Sequence, residues 1–157
     1  LAVTLKFEGG KSANPNDPGG NTMMGITQAT YTANRAEHGL PPADVFQITP
    51  SEVASIYYAR YWKPCAAESF VWPLDVIIFD TAVNSGVGRA TEFLGYTHDP
   101  ATFLAWRLTF VRWLASPHSL LPKELLRAGK ARTFLKGWEK RISTLQQIAG
   151  ITSIPSL

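Results

Sequence analysis

Between Pro73 and the pair Ser85-Gly86 runs a segment, Leu74 to Asn84, in which Val76, Ile77, Ile78, Phe79, Ala82 and Val83 leave few polar positions. A helix that is apolar on every side cannot lie on a surface, so the rest of the chain must wrap around it. The segments on either side have the pattern that such a wrap needs. Thr49-Pro50-Ser51-Glu52 reads as a capping box with proline at the first helical position, and predicts a helix through Val53, Ile56 and Tyr57 that ends before Pro64. Asp99-Pro100 opens a helix carrying Phe103, Leu104, Trp106, Leu108, Phe110, Val111, Trp113 and Leu114, ended by Pro117. A last long helix places Phe134, Leu135, Trp138, Ile142, Leu145 and Ile148 on one face and stops at Gly150. Shorter helices are expected from the cap Thr27 to His38, with Gly39 as the stop, and from Arg89 to Leu94.

The start of the chain reads differently. Leu1, Leu5 and Glu8 share a helical face and Gly9-Gly10 offers a left-handed stop, which puts Glu8 on the last turn of a first helix. These residues read as the middle of a helix, so part of its natural start is expected upstream. From Lys11 to Thr27 the composition turns to Asn, Pro, Asp and Gly, dense turn chemistry that fits a loop feeding a short hairpin. The fold class expected is mainly α (α+β): helices with a small β-hairpin after the first. The 157 residues fit one domain, which at that length buries roughly two-thirds of its unfolded surface and needs no covalent staple.

The remaining composition narrows the function. Cys65 is the sole cysteine, which rules out an intrachain disulfide and a cysteine-rich metal site; a nucleophilic thiol and a small buried apolar residue both stay open for it. His38, His98 and His118 are far apart, without metal-ligand spacing, and read as surface or loop residues. No apolar run approaches the ~20 residues of a membrane span, and the sequence opens at Leu1 without a charged-then-apolar stretch, so any signal peptide is expected to be absent or already removed. The net charge of +3 hides a polarity: residues 1–100 carry six Lys/Arg against ten Asp/Glu, and residues 101–157 nine against two. A basic half suits an anionic polymer, with the bacterial envelope and nucleic acid as candidates, or is a solvated helix face.

Glycosidic hydrolysis needs an acid to protonate the departing oxygen and a second carboxylate to steer water or stabilise the cationic sugar. The nine-residue spacing of Glu8 and Asp17, across a helix stop and a loop, can bring them onto facing walls of one cleft, with Thr22 five residues further on; the other reading is that Glu before Gly-Gly is commonplace and Asp-Pro-Gly-Gly only a turn. Unpaired carbonyls at a helix C-terminus disfavour the anionic form of Glu8, as a general acid requires, while a turn rich in N–H groups keeps Asp17 ionised. Gly19, Gly20 and Gly25 let the backbone approach a sugar chain closely.

Phe7-Glu8-Gly9-Gly10, then Asn16-Asp17-Pro18-Gly19-Gly20-Asn21-Thr22, then Gly25-Ile26-Thr27 resemble the signature of glycoside hydrolase family 108, the phage endolysin and secretion-activator muramidases. Tyr58-Ala59-Arg60-Tyr61-Trp62 is similar to that family's aromatic element, the segment Phe79 to Gly86 to its central helix, and the segment Gly137 to Ile142 to its closing helix. The resemblance implies one lysozyme-like domain over residues 1–157, with a catalytic part at 1–72 and a helical part at 73–150 like the family's peptidoglycan-binding portion. It implies cleavage of the β-1,4 bond between N-acetylmuramic acid and N-acetylglucosamine in peptidoglycan. Glu8 falls on the catalytic glutamate, and Asp17 and Thr22 on the partners of phage-type lysozymes, whose analogy points to inversion. It implies no metal and no organic cofactor, and a monomer acting on the wall in the periplasm or outside the cell. The source would be a phage, with the enzyme held in the host cytoplasm before release, or a bacterium that secretes it. Two features depart from the pattern: Lys11 stands where the family usually has tyrosine, and the link from Gly95 to Pro100 lacks the usual Asp-Gly and Gly-Pro turn block.

Other residues carry two readings each. Asp80 either lines the cleft or meets a buried partner such as Arg107, and Asn84 and Ser85 either bind sugar amides or end a helix. Of Tyr57, Tyr58, Tyr61 and Trp62, helical spacing commits at least half to the core; Tyr61 and Trp62 are the candidates for stacking on sugar, beside Gly19, Gly20 and Asn84 as substrate contacts. Arg127, Lys130, Arg132, Lys136, Lys140 and Arg141 form a basic run that is either a polyanion surface or a solvated face. Two rival functions follow: a wall-binding module without activity, and a helical nucleic-acid binder that leaves the Glu-Gly-Gly to Asp-Pro-Gly-Gly block unexplained.

Overall fold

A computed structural model of the chain describes residues 1–12, 20–118 and 121–157, which divide into two compact units, Leu1–Pro64 and Cys65–Leu157. In the first, α1 spans only Ala2–Leu5; the hairpin strands β1 (Thr22–Met23) and β2 (Ile26–Thr27) follow, then α2 (Gln28–Glu37) and α3 (Pro50–Tyr57). Thr22 pairs with Thr27 and Met23 with Ile26, and Ser12 extends the ladder by bridging to Thr22. The two residues between the strands, Met24 (φ 49°) and Gly25 (φ 75°), both have positive φ, the signature of the type I′ turn that suits a two-residue hairpin.

Side chains fix where α2 and α3 begin. Thr27 Oγ1 accepts from the Thr30 N–H, and in the capping box Thr49 Oγ1 accepts from the Glu52 N–H while Glu52 Oε2 accepts from the Thr49 N–H. Glu52 also joins the two helices, since its Oε1 accepts from the Tyr31 hydroxyl at 2.9 Å and from Arg35 at 2.6 Å. Ile26, Tyr31, Val45, Val53, Ile56 and Tyr57 form the core of this unit. α3 ends before Pro64 as expected, and after Tyr57 the chain keeps coiling with a changed pitch, through a π turn over Tyr58–Trp62 and a 3-10 turn over Lys63–Cys65.

The second unit is helical: α4 (Leu74–Ser85), α5 (Val87–Tyr96), α6 (Pro100–Ala115) and α7 (Pro122–Ile148). The apolar α4 is buried at Leu74 and from Ile77 through Ala82, with Asp75 and Val76 half-buried, and Phe93 of α5 meets Phe103 of α6 edge to face at 5.7 Å between centroids. Asp99 caps α6 by accepting from the Thr102 N–H. α7 begins at Pro122; Ile142 and Leu145 are buried, but Phe134, expected on the same face, lies outside the core at 59% exposure. Cys65 is buried, and burial pushes its thiol up to about 11, away from the thiolate a nucleophile needs. Among the described residues no helix is long and apolar enough to cross a membrane.

Candidate active site

Glu8 does not stand on a helix. α1 closes after one turn at the cap Lys6, the Phe7 N–H still reaches the Thr4 carbonyl at 3.0 Å, and Glu8 lies in the bend that follows. Neither Gly9 nor Gly10 takes the positive φ of a left-handed stop. The expected placement on a last helical turn is thereby corrected.

The Glu8 carboxyl lies against the hairpin turn. Glu8 is half-buried, and a methyl group added at Gly25 would lie 2.9 Å from Glu8 Oε2 and 2.6 Å from the Tyr57 hydroxyl. Only hydrogen fits there, so Gly25 is fixed by close approach as well as by its φ. The Tyr57 hydroxyl donates to the Met24 carbonyl at 2.8 Å, which ties the end of α3 to the turn. Tyr61, one turn along, sets its ring 5.6 Å from that of Tyr57, and Tyr61 and Trp62 are both half-buried on the π turn. π turns recur at functional sites because they set side chains where a regular helix would not. An acid, a glycine turn and a pair of tyrosines thus meet within the first unit.

The other sequence candidates distribute as follows. Thr22 lies on β1, with its hydroxyl 3.4 Å from the Gly20 carbonyl, and Gly20 is exposed with φ 66°. Asp17 and Gly19 lie outside the described residues. Asn84 is in the second unit, where its Oδ1 accepts from Arg107 at 3.1 Å. Asp80 has the buried partner expected, Arg107 at 2.8 Å, and a second, Arg141, at 2.9 Å to each oxygen. Lys11, in the family's tyrosine position, sets its ammonium 4.2 Å from the centroid of the Phe46 ring. In the sequence Tyr57 stays open between core and sugar contact; its hydroxyl becomes informative only once the hairpin is placed beside α3. Among the described residues no cluster of histidine, cysteine and acidic side chains could hold a metal ion.

Residues 1–86 match the model of a family described as glycosyl hydrolase 108. A solved structure, that of SagA from Brucella abortus, is similar with a TM-score of 0.66 and 26% identity, over 99% of this chain and 94% of that one. No curated protein matches the chain. The likeness to SagA accords with the mainly helical, lysozyme-like fold with a hairpin after its first helix. The family match ends at Gly86, ahead of the link from Gly95 to Pro100 where the sequence departs from the family's pattern.

Proposed function

The chain belongs to glycosyl hydrolase family 108, and from that premise we propose that it hydrolyses bacterial peptidoglycan at the β-1,4 bond between N-acetylmuramic acid and N-acetylglucosamine, with Glu8 as the general acid. The observation that carries this reading is the seating of Glu8, half-buried against the Met24–Gly25 turn and beside the Tyr57 hydroxyl. A general acid must hold its proton within hydrogen-bond reach of the departing oxygen, and a carboxyl braced by a hairpin loses little of its grip to rotation. Asp17 is the second carboxylate, positioning water or stabilising the oxocarbenium-like centre, and Thr22 helps hold that water. Tyr61 and Trp62 stack on the sugar rings, and Gly19 and Gly20 let the strand pass close to the backbone. Asn84, whose carbonyl oxygen is held by Arg107, keeps its amide N–H groups for a sugar acetamide.

In this reading the enzyme is a monomer acting on the wall, in the periplasm or outside the cell, after export by a bacterium or release from a phage-infected host. The bond turns over by inversion, for which the two carboxyl groups stand ~6.5 to 9.5 Å apart rather than ~5 Å. Mass analysis of digested sacculi tests the reading: new reducing ends at N-acetylmuramic acid are expected. Ends at N-acetylglucosamine, or glycan strands left intact, would contradict it.

A further inference from the structure

We infer that Tyr57 and Gly25 are positioning residues that set the Glu8 carboxyl, a step that rests on Glu8 being the general acid. Three observations converge on the turn. Met24 is held at φ 49°, a left-handed conformation that a non-glycine residue adopts at a cost and keeps only when its surroundings enforce it. The enforcing contact is the Tyr57 hydroxyl, which reaches from the last residue of α3 to the Met24 carbonyl at 2.8 Å from a side chain only 2% exposed. The third is the bare face of Gly25, against which Glu8 Oε2 closes so nearly that a methyl group there would come within 2.9 Å of it.

The arrangement works as a buttress. Tyr57 is anchored in the core of the first unit, its hydroxyl fixes the turn, and the turn's Cβ-less residue forms the wall on which the carboxyl rests. Loss of the hydroxyl frees the turn, and a side chain at Gly25 pushes the carboxyl off its seat. Either change moves the acid relative to the bond it must protonate, and an ångström of displacement is enough to cost a large factor in rate. Substrate contacts made elsewhere in the groove stay in place, so the loss belongs in turnover rather than in binding.

Gly39 supplies a matched control. It has φ 67° but nothing within 4 Å of an added Cβ, so Gly39→Asn imposes the backbone penalty of Gly25→Asn without displacing anything. Asparagine is used at both sites because it enters positive φ more readily than most residues. The experiment measures kcat and KM on soluble, uncrosslinked peptidoglycan strands for Tyr57→Phe, Gly25→Asn, Gly39→Asn and Glu8→Gln, with circular dichroism and thermal melting to confirm folding. Tyr57→Phe and Gly25→Asn are expected to lose tenfold or more in kcat with KM within twofold of wild type, and Gly39→Asn to stay within twofold in both. A kcat within twofold of wild type in Tyr57→Phe overturns the inference, as does a loss carried by KM or an equal loss in Gly39→Asn. Should Gly25→Asn not fold, Tyr57→Phe decides. Glu8→Gln separates the two levels: if it is inactive while Tyr57→Phe is unimpaired, only the buttress falls, and if it is active the general-acid reading falls with it.

Discussion

Asp80 carries two charges' worth of company in the core. Arg107 and Arg141 both donate to its carboxylate, and Asp80 and Arg107 are fully buried. Burial alone would raise the carboxyl's pKa, but the two guanidinium groups outweigh it and hold Asp80 below the usual carboxylate range; burial pulls Arg107 down, against the pull of Asp80. Two arginines around one aspartate leave a surplus positive charge, and among the described residues Arg107 Nε has no hydrogen-bond partner. Asp80→Asn is therefore expected to cost about 3–5 kcal/mol, since it removes the carboxylate that compensates the fully buried Arg107. A thermal melt should fall by roughly 10 °C or more, and a shift of a degree or two would contradict the triad's role. Sequence reasoning could name Arg107, because a charge on an apolar helix demands a partner. It could not name Arg141, which lies 61 residues from Asp80 and sits in a run of basic residues that reads as solvated.

At the scale of elements, caps could be read from sequence because their chemistry is local: Thr27, Thr49 with Glu52, and Asp99 all cap helices where their patterns placed them. The first helix misled for the same reason in reverse. Leu1, Leu5 and Glu8 satisfy a helical period, but the chain turns out of the helix at Lys6, before Glu8. The hairpin carries a testable flaw. A left-handed conformation costs a non-glycine residue about 1–2 kcal/mol, and Asn-Gly is the preferred pair for a type I′ turn. Met24→Asn is expected to raise stability by about 1 kcal/mol, seen as a higher urea midpoint at unchanged slope. A lower midpoint would mean that the half-buried methionine side chain contributes more than its backbone costs.

Across the whole molecule, part of the charge asymmetry seen in the sequence is tied down within the fold. Arg127 bonds Glu124 and the carbonyls of Leu114 and Ser116, Arg132 bonds the Ala115 carbonyl, and Arg141 bonds Asp80. Lys130, Lys136 and Lys140 remain exposed on α7. Composition counts charges but not their partners, which tertiary packing supplies. The paired carboxylates set the acid limit of the fold. Hydrogen bonds from the Thr49 backbone, then from the Thr49 and Tyr31 hydroxyls, with Arg35 beside them, hold Glu52 at about 2 against the effect of burial; Asp80 is lowered as well. A carboxylate depressed in the folded state contributes stability that is complete above its unfolded value, ~4, and is lost as pH falls towards the folded one. Urea midpoints should thus hold from pH 7 to about 5 and drop between pH 4.5 and about 2, and Glu52→Gln should flatten part of that drop. A profile as steep in Glu52→Gln as in wild type would remove Glu52 from the account.

The proposed activity places one acid against one bond, and Glu8→Gln examines that directly because it keeps the side chain's shape and removes its proton. Clearing of purified peptidoglycan suspensions, followed by turbidity at matched protein concentration and with folding verified, is expected to fall by at least two orders of magnitude, the scale of a positioned general acid. Clearing by Glu8→Gln at the wild-type rate would contradict the account.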